Sequence, residues 1–274
     1  MIHHNKALII GISILSLLIC CALFAPYISS APPDQMNYQA RMQLPSRTHP
    51  FGTDFFGRDT LSRTIYGSRI ALLVGSLSVS LAMVPGLALG LFAGYERGWL
   101  DVIIMHIMDG ILSFPGLLLA IAVITALGPG HVQATISISI IFVPAFTRIV
   151  RGQVLVVREE DYVQAAIALG ASDAAIIWRH ILPNVMGPLI VQTTVSFANA
   201  ILIEAGLSFL GLGTQPPIPS WGTMLQESRT FMDLQPWAAI LPGLAIAMSV
   251  LGFNLAGDGL RDLLDPRFRP RMMR

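Results

Sequence analysis

The sequence predicts an all-α polytopic membrane protein of six transmembrane helices, with both termini in the cytoplasm and a polar cytoplasmic loop between spans four and five. Three observations carry that reading. The 274-residue chain is 54% hydrophobic and only 12% charged, whereas a soluble domain is about 25% charged. Five blocks lack Asp, Glu, Lys and Arg and reach the roughly 20 residues of a spanning helix: 7–33, 70–95, 110–147, 181–203 and 234–257. The third is long enough for two spans, and Leu127-Gly-Pro-Gly-His131 in its middle is a turn signal that a helix cannot continue through.

An even number of spans puts both termini on one side, and the distribution of positive charge chooses it. A cytoplasmic N-terminus places Lys6, Arg97, Arg148, Arg151, Arg158, Arg179, Arg261, Arg267, Arg269, Arg271 and Arg274 inside, eleven of the 17 Lys and Arg. Arg41, Arg47, Arg58, Arg63, Arg69 and Arg229 remain outside.

The first span is longer than the 7–15 residue core of a signal peptide, so it reads as a retained helix. Its adjacent Cys20 and Cys21 make no disulfide framework. A polar external segment follows, 31–68, and its end, FGTDFFGRDTLSRTIYGSR, suggests a structured turn and a short interfacial helix around Asp54, Arg58, Asp59 and Arg63. In span two, Gly86, Gly90 and Gly94 are four apart and stack on one face, where they permit a close helix neighbour. Span three starts near Asp101 and is kinked at Pro115. Span four covers about 132–150.

The least hydrophobic interior stretch is 158–184, REEDYVQAAIALGASDAAIIWRHILPN. Tyr162, Ala165, Ala166 and Leu169 fall at i, i+3, i+4 and i+7, one apolar stripe of a short helix. Gly170 interrupts it, and Ser172 caps a second helix with Ile176, Ile177 and His180 along one side. Pro183 then stops that helix or begins the next span. The hairpin is too short and too charged to span, so its stripe requires lipid headgroups or a protein groove as cover.

Gln164-Ala165-Ala166, three residues, Gly170, and a stretch ending Ile181-Leu182-Pro183 resemble the EAA loop of ABC importer permeases. Gln164 departs from the glutamate of that pattern and His180 from an isoleucine. Three further stretches resemble the peptide and nickel branch of the family: the 51–69 segment, Glu204 to Gly213 followed by Gln215 to Gly222, and Phe253 to Asp262 followed by Asp265-Pro266. The resemblance implies an N-terminal span and external segment over 1–68 and an ABC permease transmembrane domain over 69–274. It implies ATPase coupling through Tyr162, Gln164, Ala165, Ala166, Leu169, Gly170, Ala171, Ser172, Ile177, His180, Leu182 and Pro183, with Glu159, Glu160, Asp161 and Arg179 orienting the docking. It further implies a second homologous permease subunit, two ABC ATPase subunits and an external solute-binding protein, with the segments 31–68 and 207–235 as candidates to meet that protein or to gate the pore.

The only lysine is Lys6, so no GxxxxGK[ST] phosphate loop exists in this chain. ATP and magnesium are therefore expected on the partner ATPase, and no cofactor is expected here. Ionisable groups inside a span are costly unless they face water or a partner. This makes His106, Asp109, Gln192, Asn199 and Glu204 candidates for the pathway or its gating, against plain structural pairing. Glu204 and Asp258 lie near span ends, where water or a helix terminus solvates them. Trp221 and Trp237 read as interface anchors. A net charge of +1 argues against nucleic acid. Secondary transport is disfavoured by a nearly charge-free deep core, and catalysis by the lack of HExxH or GxSxG constellations. Among cargoes, di- and oligopeptides are favoured over nickel, metal chelates, opines or glutathione, on family frequency alone.

Overall fold

The computed structural model describes residues 2–264, with side chains from residue 6. The terminal Asp265 and Pro266 and the tail arginines beyond 264 lie outside the described residues, as do the side chains of His3 and His4.

The chain folds entirely into helices and loops among the described residues, apart from one isolated bridge between Thr53 and Asp59. Among the described residues, five helices are long and apolar enough to cross a membrane singly. They are α1 (Ile2–Ile28), α2 (Thr60–Glu96), α5 (His131–Arg158), α8 (Leu182–Phe209) and α10 (Trp237–Leu264). The sixth candidate is a broken pair, α3 (Gly98–Leu112) and α4 (Gly116–Leu127), bent by 89°. Pro115 thus ends one helix and precedes another instead of kinking a continuous one: it has no N–H to donate, and Ser113 closes α3 by donating to Asp109 O. The turn at 128–130 separates α4 from α5 as the sequence suggested, with Gly128 at φ 91° and Gly130 at φ 152°.

Glycine spacing sets the central packing. A Cβ on Gly86, Gly90 or Gly94 would lie 2.5, 2.6 and 2.7 Å from the Cβ atoms of Phe146, Val150 and Val154. Both sets repeat every four residues, so α2 and α5 mesh along one shared seam, and Phe146, Val150 and Val154 are fully buried in it. The same device joins α1 to α10, where Gly11 approaches Ala256, and Gly252 and Gly259 approach Ile14 and Leu8. Gly75 of α2 receives Phe197 of α8, which stacks on Phe253 of α10 at 4.2 Å.

Two further expectations are corrected. The external segment has no separate interfacial helix: Asp59 caps the Ser62 N–H at 2.8 Å and one helix runs from Thr60 through positions 68 and 69 to Glu96, because nothing between Thr60 and Ile70 breaks it. Trp221 is not an interface anchor. It is buried at the start of α9 (Trp221–Ser228), where its indole donates to Thr64 O at 2.9 Å. Trp237, half-exposed at the start of α10, keeps an anchor's position.

Candidate functional site

The loop between α5 and α8 forms the hairpin that its residue pattern suggested. Its first helix, α6, spans Asp161–Ala168. Gly170 closes it at φ 81°: the Gly170 N–H reaches Ile167 O at 2.9 Å and the Ala171 N–H reaches Ala166 O at 3.1 Å, a Schellman arrangement that an L side chain would strain. Ser172 then caps α7 (Asp173–Ile176) through the Ala175 N–H.

The second helix does not stop at Pro183. A π turn, Ile177–Ile181, joins α7 to α8, with the Leu182 N–H bonded to Ile177 O. This wider turn lets the helix pass a proline that has no N–H and would clash with the carbonyl four residues back. The second arm of the hairpin and span five are therefore one continuous rod, 173–209, to which α6 is joined by the turn at Gly170.

Burial separates the predicted stripe from its support. Val163, Ile176 and Ile181 are fully buried against the core, with Ala171 and Ile177 packed beside them. Tyr162 and Leu169 point outward, 47% and 89% exposed, flanked by exposed Gln164, Ala165, Gly170 and Ser172 and by partly buried Ala166. His180 and Leu182 are partly buried and Pro183 is exposed. Trp178 in the π turn is 69% exposed and was missed; a large aromatic beside Arg179 was the available signal.

Polar contacts fix the hairpin at both ends. Arg158 donates to Tyr95 O and covers the Tyr95 ring, whose hydroxyl donates to Asp173 at 2.5 Å. Gln164 Nε2 donates to Arg158 O at 2.8 Å. Asn184 Nδ2 donates to Tyr162 Oη at 3.0 Å and to His180 O at 2.7 Å. Glu159 pairs with Arg97, whereas Glu160, Asp161 and Arg179 are exposed.

The candidate polar residues of the spans fall in three places. His106 and Asp109 are exposed on α3. Asp109 pairs with Arg148 of α5, and the nearby Asp101 takes a two-pronged fork from Arg151 at 2.5 and 2.6 Å. Gln192 donates to Ser196 one turn on, at 3.1 Å, and Asn199 is exposed on α8. Glu204 is not solvated at a span end. It is buried, and it accepts from Ser208 Oγ at 2.7 Å and Thr214 Oγ1 at 3.0 Å, which replace water. Thus Gln192 and Glu204 bond within or just beyond their own helix, Asp109 bonds across helices, and the five residues do not converge.

At the other end of the spans, the segments around 31–68 and 207–235 are tied into one cap. Glu227 of α9 accepts from Arg58 at 2.6 Å and Arg63 at 3.0 Å, while Asp54 accepts from Arg58 Nε at 2.6 Å. Gln235 donates to Gln43 O at 2.8 Å. A cavity of about 330 Å³ opens there, walled by Phe55, Phe56, Arg58, Glu227 and Phe231.

Residues 86–270 match the family described as binding-protein-dependent transport system inner membrane component, and residues 2–45 match the N-terminal TM domain of oligopeptide transport permease C. The chain is 48% identical, over 98% of its length and 88% of the relative's, to the dipeptide transport system permease protein DppC of Alkalihalophilus pseudofirmus. It is 44% identical to the di/tripeptide transport system permease protein DppC of Pseudomonas aeruginosa, over 97% of this chain and 90% of that one. It is 45% identical to the glutathione transport system permease protein GsiD of Pectobacterium atrosepticum, over 98% and 89%. Among solved structures, the MetNI methionine ABC transporter in inward-facing form aligns with TM-score 0.60 at 17% identity, covering 74% of this chain and 96% of that chain.

Proposed function

Because the chain belongs to the family of binding-protein-dependent transport inner membrane components, we propose that it forms half of the pathway of an ATP-driven importer of di- and oligopeptides and drives it through the 158–184 hairpin. As a family member it is a multi-pass permease of the inner membrane, a transport subunit and not an enzyme. The observation that carries the coupling role is the uncovered stripe of Tyr162 and Leu169 on one arm of a hairpin whose other arm runs on into span five.

A groove on the ATPase covers that stripe, and the exposed Gly170 lets the partner backbone approach closely. Glu160, Asp161 and Arg179 orient the encounter. When two ATPase subunits close on ATP and magnesium, each pushes its hairpin. The Gly170 turn hands the motion from α6 to the rod 173–209, which carries it into the membrane, and the permease rocks between inward and outward access. The second half of the pathway comes from a homologous permease subunit. The cap tied by Arg58, Arg63 and Glu227 meets the solute-binding protein, with both termini on the cytoplasmic side.

Peptide cargo is supported by the printed names of two relatives, dipeptide and di/tripeptide, whereas the third relative's name belongs to the glutathione alternative. Deleting this chain in an amino-acid auxotroph tests it. Growth on the required amino acid supplied as a dipeptide should be lost, while growth on the free amino acid and nickel-dependent enzyme activity persist. Unchanged dipeptide growth with loss of nickel activity contradicts the cargo assignment.

A further inference from the structure

The ion pair Asp109–Arg148 stands where a lipid-facing surface does not tolerate one. Helix α5 has 28 residues, about 42 Å against a hydrocarbon core of roughly 30 Å. Arg148, ten residues before its end at Arg158, is about 15 Å from that end and so within the hydrocarbon depth. Both partners are nevertheless about half-exposed in the chain, 48% for Arg148 and 56% for Asp109. The surface around them is open and of mixed character, with Ile107 and Leu112 exposed beside Asp109. A Cβ on Gly110, next to Asp109, or on Gly152, one turn after Arg148, would meet nothing within 4 Å. Exposed His106 lies one turn before Asp109 on α3 and exposed Ser113 one turn after it, just past the end of that helix. By contrast, Asp101–Arg151 is largely covered and lies closer to the end of α5, as a structural clasp would.

Charged groups at this depth face water or protein, not lipid. A second permease packed over the pair would desolvate two charges that already neutralise each other, with no new counter-charge in return. A water-filled passage carries no such penalty. We propose that Asp109 and Arg148 line the translocation pathway and contact the cargo, Arg148 receiving the carboxylate terminus of a zwitterionic peptide and Asp109 its ammonium terminus. The pair opens to the two ends of the cargo and re-forms when the peptide leaves, so the empty pathway never exposes an unpaired charge. This rests on the peptide reading above.

The test uses the complete transporter in cells that lack the native copy of this chain. Wild-type uptake of a labelled dipeptide comes first; its absence would defeat the peptide reading and not the placement of the pair. Arg148→Gln and Asp109→Asn should each still co-purify with the second permease and the ATPase, with dipeptide uptake reduced tenfold or more. The exchanged variant Asp109→Arg/Arg148→Asp restores an ion pair but presents the cargo with reversed polarity, so its uptake should stay at or below that of the single variants. Uptake in the exchanged variant above either single variant would make the pair a structural clasp and overturn the proposal. So would wild-type uptake in the singles, and so would their loss from the complex, which would assign the pair to subunit assembly.

Discussion

Leu169→Ser is the sharpest perturbation of the hairpin. Leu169 leaves 89% of its surface exposed in the chain and packs on almost nothing there. Fully burying a leucine contributes roughly 1.5–3 kcal/mol, and nearly all of it is available to a partner. Removing it should weaken ATPase docking by roughly 10- to 100-fold, at about 1.4 kcal/mol per tenfold. The permease itself should be indifferent, since an exposed substitution shifts stability by about 0.5 kcal/mol or less. Val163→Ser, two positions into α6 and fully buried, should do the reverse: it destabilises the permease by about 2 kcal/mol or more by emptying a core position. The assay is a titration of purified ATPase onto the detergent-solubilised permease pair, alongside a thermal melt. Docking of Leu169→Ser within twofold of wild type would refute the assignment of the stripe to the ATPase.

Gly90→Ala places a Cβ 2.6 Å from Val150 Cβ and 2.7 Å from Thr147 O, and a backbone atom cannot swing away. Overpacking of about 1–3 kcal/mol should outweigh the gain of about 1 kcal/mol in helix propensity. Gly243→Ala, whose Cβ meets nothing within 4 Å, should keep that gain. The two variants should therefore melt roughly 4–8 °C apart, and equal melting temperatures would contradict the α2–α5 seam. Glu227→Gln removes the charge of one of two carboxylates, Asp54 being the other, that pair with two arginines 4% and 3% exposed, and should cost about 2 kcal/mol in a thermal melt. Glu159→Gln, at a pair 44% and 62% exposed, should cost no more than about 1 kcal/mol; the reverse order would contradict a buried cap.

Much of this was legible because it is local. Span positions follow from uncharged runs, and Gly86, Gly90 and Gly94 announce a close neighbour by spacing alone. The hairpin could be read from a stripe, a glycine and a capping serine, and its Gly170 and Ser172 act as those residue types do at helix ends. What the spacing does not contain is which distant element answers. Phe146, Val150 and Val154 repeat in step with the glycines but lie some sixty residues away. Glu227 joins Arg58 and Arg63 across more than 160 residues. Arg148 and Arg151 counted only as positive charges until the fold set them against Asp109 and Asp101. Proline was legible only in part: Pro183 does stand at the start of span five, as one of its two readings had it, yet it does not stop the preceding helix. Pro115 marks a break between helices and Pro183 is passed inside one, and the difference lies in the turn that precedes each: a closed helix end at Ser113 and a π turn before Leu182.

The central claim is that the outward face of α6 meets an ATPase. A photoreactive residue at position 169, and separately at buried position 163, in cells producing the full transporter would test it most directly. Irradiation should join position 169, and not 163, to the ATPase subunit. Crosslinks from 169 to lipid alone, or to the ATPase from both positions equally, would contradict it.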